Sequence, residues 1–71
     1  MNASEVIERY GNGERDFSTI RLISANLSGL NLQGIVFNNA DVSNCNFSNS
    51  NLTDASFGGA ILDRANFANA I

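Results

Sequence analysis

Few side chains in this 71-residue chain could perform covalent chemistry or hold a metal ion. Cys45 is the only cysteine, and the sequence contains neither histidine nor lysine. A reactive thiol needs a cationic or basic neighbour, and a cysteine or histidine metal site needs several such ligands. The sequence therefore predicts that Cys45 is a buried, inert thiol, and we expect no metal and no cofactor.

Carboxylates are the remaining candidates for acid–base chemistry. Asp41, Asp54 and Asp63 occupy different positions within the repeat described below, so no paired-carboxylate site is evident. The chain also has no glycine-rich phosphate-binding loop. Without a nucleophile, a base and an orienting group in reach of one another, we expect a protein that is not an enzyme, with no catalytic residue.

A strict five-residue repeat organises most of the chain. Its central residue is always apolar, at Phe17, Leu22, Leu27, Leu32, Phe37, Val42, Phe47, Leu52, Phe57, Leu62 and Phe67. Two positions before each centre the residue is small or apolar from Ile20 to Ala70, although Arg15 breaks this rule. A period of five fits neither a helix nor a strand. It is typical of a solenoid, in which each unit buries its apolar side against its neighbours.

A second period of twenty lies within the first. Phenylalanine forms two series, Phe17 with Phe37 and Phe57, and Phe47 with Phe67, whereas the centres between them are Leu or Val. If four pentads close one coil, residues twenty apart stack, and the phenylalanines occupy two opposite faces. Large side chains along one axis and smaller ones across it would fill a narrow interior. The pattern thus predicts about 20 residues per coil.

The N-terminal segment differs from the repeats and predicts a short amphipathic helix over residues 3–10. Asn2 and Glu5 have the spacing of a capping box, with Ser4 as a competing cap, and Gly11 ends the helix. The predicted apolar face consists of Val6, Ile7 and Tyr10. So short a helix is unstable alone, and we expect this face to dock on the rest of the chain.

The pentads resemble those of the pentapeptide-repeat proteins, in which a small residue, Asn or Asp, then Leu or Phe precede two variable polar positions. Good examples are 25–29 (ANLSG) and 65–69 (ANFAN). The resemblance covers residues 15–71 and implies an all-β, right-handed quadrilateral β-helix of under three coils. Residues 8–17 also look like the capping helix and lead-in of cyanobacterial members. We therefore expect residues 1–14 to form an N-terminal capping helix and lead-in, and residues 15–71 the β-helix.

Three residues depart from the family pattern. Ile20, Leu30 and Ile35 place bulky groups where the family prefers alanine. Because they cluster near the start of the repeats, we expect a locally widened or distorted base there, where the helix could dock.

Charge and hydropathy exclude several classes of partner. The net charge is −3, and from residue 20 onward two arginines face three aspartates, without a basic stripe. No direct nucleic-acid binding is therefore expected. No apolar run could span a bilayer, the charged N-terminus is not a signal peptide, and Glu5 and Glu8 outnumber Arg9 on the helix. We expect a cytoplasmic protein without membrane contact.

The outward-facing polar residues of the repeats and the two ends of the coil remain as candidates for a functional surface. We expect a non-catalytic structural or protein–protein interaction module whose protein partner is unknown. The repeats stop at Ile71 without a covering helix. Since an uncovered coil exposes apolar side chains and unpaired backbone groups, either this end mediates homodimerisation or the chain is a fragment of a longer protein. Homodimerisation through the C-terminal end is the reading we favour.

The resemblance offers an alternative function. Some family members are similar to duplex DNA in shape and charge and act on DNA gyrase, so this chain could be a DNA-mimic regulator of a topoisomerase. That role needs a long, strongly negative rod, whereas fewer than three coils would rise only about 13 Å. Ice binding would need a regular outward threonine array, and only Thr19 and Thr53 are present.

Overall fold

The computed structural model describes every residue from Met1 to Ile71 and contains one helix, α1, over Ala3–Gly11. The side chain of Asn2 caps α1 by accepting a hydrogen bond from the Glu5 backbone N–H at 2.9 Å. Asn12 provides the C-cap. Asn2 is therefore the cap, and Ser4 lies inside the first turn.

One stripe of α1 docks on the first coil of repeats. Val6 is completely buried, and Ala3 and Tyr10 are partly buried against the core. Ile7, predicted to belong to this face, is instead 46% exposed. The prediction for Ile7 was wrong because neighbouring helical residues are about 100° apart, so a narrow contact follows the three- and four-residue spacing of Ala3, Val6 and Tyr10.

The repeats wind into stacked coils joined by parallel backbone pairing. Seven isolated bridges each join residues twenty apart, namely 16–36, 21–41, 26–46, 31–51, 36–56, 41–61 and 46–66. In the first of them the Phe17 N–H donates to the Val36 carbonyl, and the Val36 N–H donates back to the Arg15 carbonyl, both at 2.8 Å. The predicted twenty-residue spacing is thus the separation between paired residues.

A tight turn follows every centre residue, and its third residue always has a positive φ. The residues concerned are Thr19, Ser24, Gly29, Gly34, Asn39, Asn44, Asn49, Asp54, Gly59, Arg64 and Asn69. Glycine, asparagine and aspartate tolerate this left-handed conformation best, which explains why they dominate this position. Thr19 is the least suited of the set, because its side chain is β-branched.

The first three turns differ from the others in their hydrogen bonding. From Leu32 onward the inward small residue donates a hydrogen bond to the preceding centre, as from Ala40 to Phe37 at 3.0 Å. The turns at 17–20, 22–25 and 27–30 lack this bond. The base therefore differs locally, but bulk at the inward position does not explain the difference, because the turn at Ala25 lacks the bond and the turn at Ile35 keeps it. The inter-coil bonds of the base keep their usual length, such as 2.8 Å from Leu22 to Asp41.

The interior is filled by two columns of aromatic rings that face each other. Within the columns, the ring centroids of Phe17 and Phe37 are 6.0 Å apart, and those of Phe47 and Phe67 are 5.1 Å apart. Across the interior, Phe37 lies 5.9 Å from Phe47, and Phe57 lies 5.6 Å from Phe67. The prediction that phenylalanine occupies two opposite faces is confirmed. Buried side chains fill this interior.

Candidate interaction surfaces

Cys45, the one nucleophile candidate, is wholly buried in the core. Its thiol donates a hydrogen bond to the Leu22 carbonyl, and burial raises its pKa. A raised pKa and a lack of access both oppose thiolate chemistry. The structure therefore places Cys45 in a packing position, with the same role as a small hydrophobic residue.

The aspartates of the repeats are dispersed over several pentads. Asp41 accepts hydrogen bonds from the Ser43 hydroxyl at 2.6 Å and from the Ser43 backbone N–H at 3.1 Å, and these bonds lower its pKa. Asp54 sits at a left-handed turn position, and Asp63 is exposed. No group of three or more histidine, cysteine, aspartate or glutamate residues is close enough to hold a metal ion. Their arrangement offers turn stabilisation and no convergent chemistry.

The outward residue before each centre forms the polar walls. Seven of these side chains accept a hydrogen bond from the backbone N–H two residues later, and the accepting residues are Asp16, Asn26, Asn31, Asp41, Asn46, Asn51 and Asn66. Such Asx turns hold the chain in its corner conformation. These seven side chains are therefore hydrogen-bonded within their own pentads and not from coil to coil.

One asparagine does reach across to the next coil. The Asn38 side chain accepts hydrogen bonds from the Ser56 hydroxyl and from the Gly58 backbone N–H, the latter at 2.8 Å. A Cβ at Gly59 would clash with the Asn39 side-chain oxygen. Glycine therefore fits at both Gly58 and Gly59, because the side chains of Asn38 and Asn39 from the preceding coil occupy the space that a Cβ would need.

The N-terminal end of the coil is covered by α1. Beneath it Phe17, Leu22 and Leu27 are at most 1% exposed. Two backbone carbonyls at this end also gain partners from the N-terminal segment. The Tyr10 hydroxyl donates to the Gln33 carbonyl at 2.7 Å, and the N-terminal ammonium donates to the Arg21 carbonyl at 3.3 Å. The helix thus covers apolar side chains and satisfies polar groups at once.

Within residues 1–71 no segment packs on the opposite end of the coil, and we call that end the C-terminal face. It is built from Phe57, Leu62 and Phe67, with Ile61 and Ile71 at its rim. Leu62 is 39% exposed, and the two phenylalanines are half-buried. Ile61 is 49% and Ile71 is 79% exposed. The end coil therefore leaves several apolar side chains partly or largely exposed.

Unpaired backbone groups accompany these apolar side chains. In the preceding coil the N–H groups of Phe37, Val42 and Phe47 each donate to a carbonyl of the coil that follows. The corresponding N–H groups of Phe57, Leu62 and Phe67 have no acceptor within the chain. The carbonyls of Ala55, Ala60 and Ala65 likewise receive no backbone donor. The C-terminal face thus has the hydrogen-bonding character of an edge strand.

The sequence did not indicate every residue that shapes the two ends. Ile61 could have been found from the sequence, because it is apolar at an outward position that polar residues occupy in most pentads. The bonds from Tyr10 to Gln33 and from the ammonium to Arg21 join residues 20 or more positions apart. Nothing in their spacing could have found them. The one helix, α1, is neither long nor apolar enough to cross a membrane.

Known proteins contain the same repeat and a similar fold. The family model described as pentapeptide repeats, in eight copies, matches residues 16–54 and 50–71. The uncharacterized protein slr1819 of Synechocystis sp. is 46% identical over 41 residues, covering 58% of this chain and 12% of that protein. The crystal structure of HetL, from the cyanobacterium Nostoc sp. strain PCC 7120, matches 99% of this chain with a TM-score of 0.56 and 31% identity.

The lengths differ widely, because this chain spans about a third of HetL and about an eighth of slr1819. HetL is described as a pentapeptide-repeat protein involved in the regulation of heterocyst differentiation. Its similarity and the family match together imply a right-handed β-helix. Because the family model matches most of the chain, the protein belongs to the pentapeptide-repeat family.

Proposed function

We propose that this protein is a non-catalytic interaction module that pairs with a second copy of itself through the C-terminal face. One observation carries the proposal: exposure changes abruptly within a single stacked column. Leu22 and Val42 are completely buried, whereas Leu62, the next residue in that column, is 39% exposed. A second coil placed on this face would bury Leu62 as its predecessors are buried.

A second copy suits this face because the face carries both donors and acceptors. The free N–H groups of Phe57, Leu62 and Phe67 alternate with the carbonyls of Ala55 and Ala60. Two identical edges related by a two-fold axis can satisfy each other by antiparallel pairing. Stacking of the face on the other end of a second copy is blocked, because α1 covers that end.

Charge and area set the expected strength of the pairing. The last coil carries Asp54, Asp63 and Arg64, so both signs are present near the face and repulsion is limited. One end is a minor share of the molecule's 3919 Å² of accessible surface. Stable complexes bury about 800 Å² per partner. We therefore propose a concentration-dependent dimer and not a permanent one.

The proposal extends to the finer features of the fold and its setting. We propose a quadrilateral β-helix of fewer than three coils over residues 15–71, with residues 1–14 as a capping segment. The bridges between residues twenty apart support this division. A reducing, cytoplasmic location and an unidentified protein partner stay predictions. The family consists in general of structural and interaction modules, and a HetL-like regulatory contact is the corresponding analogy.

The DNA-mimic alternative, directed at a topoisomerase such as DNA gyrase, takes second place. A mimic of duplex DNA requires an elongated and strongly negative surface. The extents of this chain are 28 × 24 × 21 Å, and its net charge is −3. Neither the shape nor the charge favours that function.

Sedimentation velocity of the purified chain over a concentration series tests the pairing. We expect a monomer–dimer equilibrium for the wild type and only monomer for Leu62→Glu, because the substitution places a charge in the centre of the face. Ile7→Glu is the matched control, since Ile7 has comparable exposure on the outer side of α1. A wild-type chain that stays monomeric throughout, or a Leu62→Glu variant that still dimerises, would overturn the proposal.

A further inference from the structure

The end of the coil beneath α1 is complementary to the C-terminal face. Along the ladder, each centre N–H donates to the carbonyl nineteen residues later, as Leu22 does to Asp41. By the same rule, the N–H of Leu62 needs a carbonyl nineteen positions later. If a second copy is stacked on the face with a shift of three coils, the carbonyl of its Arg21 takes that position. The backbone N–H of Arg21 and the carbonyl of Ala60 also lack backbone partners and would form the return bond of the same pair.

The side-chain columns continue through the same junction. With the three-coil shift, Phe57 would stack below Phe17 of the next copy, and Leu62 below Leu22. These are the pairings that already fill the interior, where Phe17 and Phe37 lie 6.0 Å apart. The free N–H groups of Phe57 and Phe67 would find the carbonyls of Asp16 and Asn26, which accept no backbone hydrogen bond within the chain.

The N-terminal segment occupies this position with few contacts. Val6 is the only fully buried residue of α1. The N-terminal ammonium bonds to the Arg21 carbonyl at 3.3 Å, which is the acceptor that a Leu62 N–H of another copy would need. Other ties are the Tyr10 hydroxyl on Gln33, the Arg15 guanidinium, which lies 3.7 Å above the Tyr10 ring and donates to the Tyr10 carbonyl, and the partly buried side chain of Ala3. The helix and a second copy would thus compete for one surface.

We propose that the end beneath α1 is a latent docking surface for the C-terminal face of another copy, and that α1 holds assembly at the closed dimer. Release of α1 would convert two-fold pairing into head-to-tail stacking. Head-to-tail contacts are heterologous and do not close, so assembly would continue into a fibre. Successive copies would then be offset by the three-coil shift, which is about 14 Å along the fibre. The inference rests on the proposed function in requiring an accessible C-terminal face.

The test uses full-length Val6→Glu, which places a charge in the buried contact of α1. Light scattering and negative-stain electron microscopy should show assemblies that lengthen with concentration, whereas the wild type stops at the dimer. Val6→Glu combined with Leu62→Glu should be monomeric. Adding wild-type chain to Val6→Glu should shorten the fibres, because its covered end cannot accept a further copy.

A gentler variant covers the case in which Val6→Glu does not fold, as judged by circular dichroism. Val6→Ala with Tyr10→Phe weakens the docking of α1 without adding a charge, and species larger than the dimer should appear at high concentration. Folded variants that stop at the dimer overturn the inference and leave the proposed function intact. A monomeric wild type whose Val6→Glu variant forms fibres overturns two-fold pairing but supports the latent surface.

Discussion

The two ends of the coil are built from the same repeat but differ in the burial of its central residues. At the N-terminal end Phe17 and Leu22 are at most 1% exposed beneath α1, whereas at the C-terminal face Leu62 is 39% exposed. The residue types are alike, so the difference arises from what covers them. A pentad therefore does not determine its own burial, because each coil is buried by the coil or helix placed upon it.

Truncation of one aromatic at each end should show the largest difference. Phe17→Ala should lower the free energy of unfolding by about 3–4 kcal/mol, the usual cost of deleting a buried phenylalanine. Phe57→Ala, in the same column but half-buried, should cost about half as much. Urea denaturation at a concentration where the chain is monomeric measures both. Equal losses would mean that the C-terminal face is as well packed as the covered end.

Relief of backbone strain should raise stability by a smaller amount. Thr19 has a φ of 65° near the covered end, and Arg64 has a φ of 59° near the open end. Thr19→Asn should stabilise the chain by about 1 kcal/mol, since asparagine tolerates this conformation better than a β-branched residue. Arg64→Asn should give about half of that. Thermal melts are the measurement, and a destabilised Thr19→Asn variant would contradict the argument.

Acid should act mainly on the coils nearer the covered end. Hydrogen bonds from Ser18 and Ser43 hold the pKa values of Asp16 and Asp41 below their usual range. Because the folded pKa is the lower one, this stabilisation is present above the unfolded pKa and is lost as the pH falls through the folded pKa.

Asp41→Asn tests that pH dependence directly. Asparagine makes the same turn at Asn46, where it accepts the Ser48 N–H at 2.9 Å, so the variant should fold. The variant should lose less stability than the wild type between neutral pH and pH values below the usual aspartate range, and this is the smallest effect expected here. The midpoint of urea unfolding, followed against pH, measures it. An unchanged pH profile would show that the Ser43 bonds do not distinguish the folded from the unfolded state.

Local periodicity was enough to predict the coil and the two aromatic columns. Each centre side chain must point inward for its pentad to bury any apolar surface, so the register is readable without knowledge of the partners. The apolar face of α1 was predicted less well. Ile7 and Val6 are equally apolar in sequence, and only the shape of the first coil selects Val6 for burial.

The asparagines illustrate the same limit on the walls. Their position directly before a centre residue placed Asn26 and Asn46 outside the core. It left open whether their side-chain hydrogen bonds would run between coils or within a pentad. The geometry of the left-handed corner decides this, because it brings the backbone N–H two residues later within reach of the side chain. Asn38 bonds across coils instead, where Ser56 and Gly58 lie above it.

What the sequence alone determined is the repeating unit, its inward and outward sides, the absence of histidine and lysine and the short N-terminal helix. These follow from residue type and spacing, which act over a few positions. Only the tertiary structure decided that Val6 and Tyr10 cover one end while Phe57 and Leu62 stay open at the other. That asymmetry depends on contacts between residues 20 or more positions apart, such as Tyr10 with Gln33, and no local pattern encodes them.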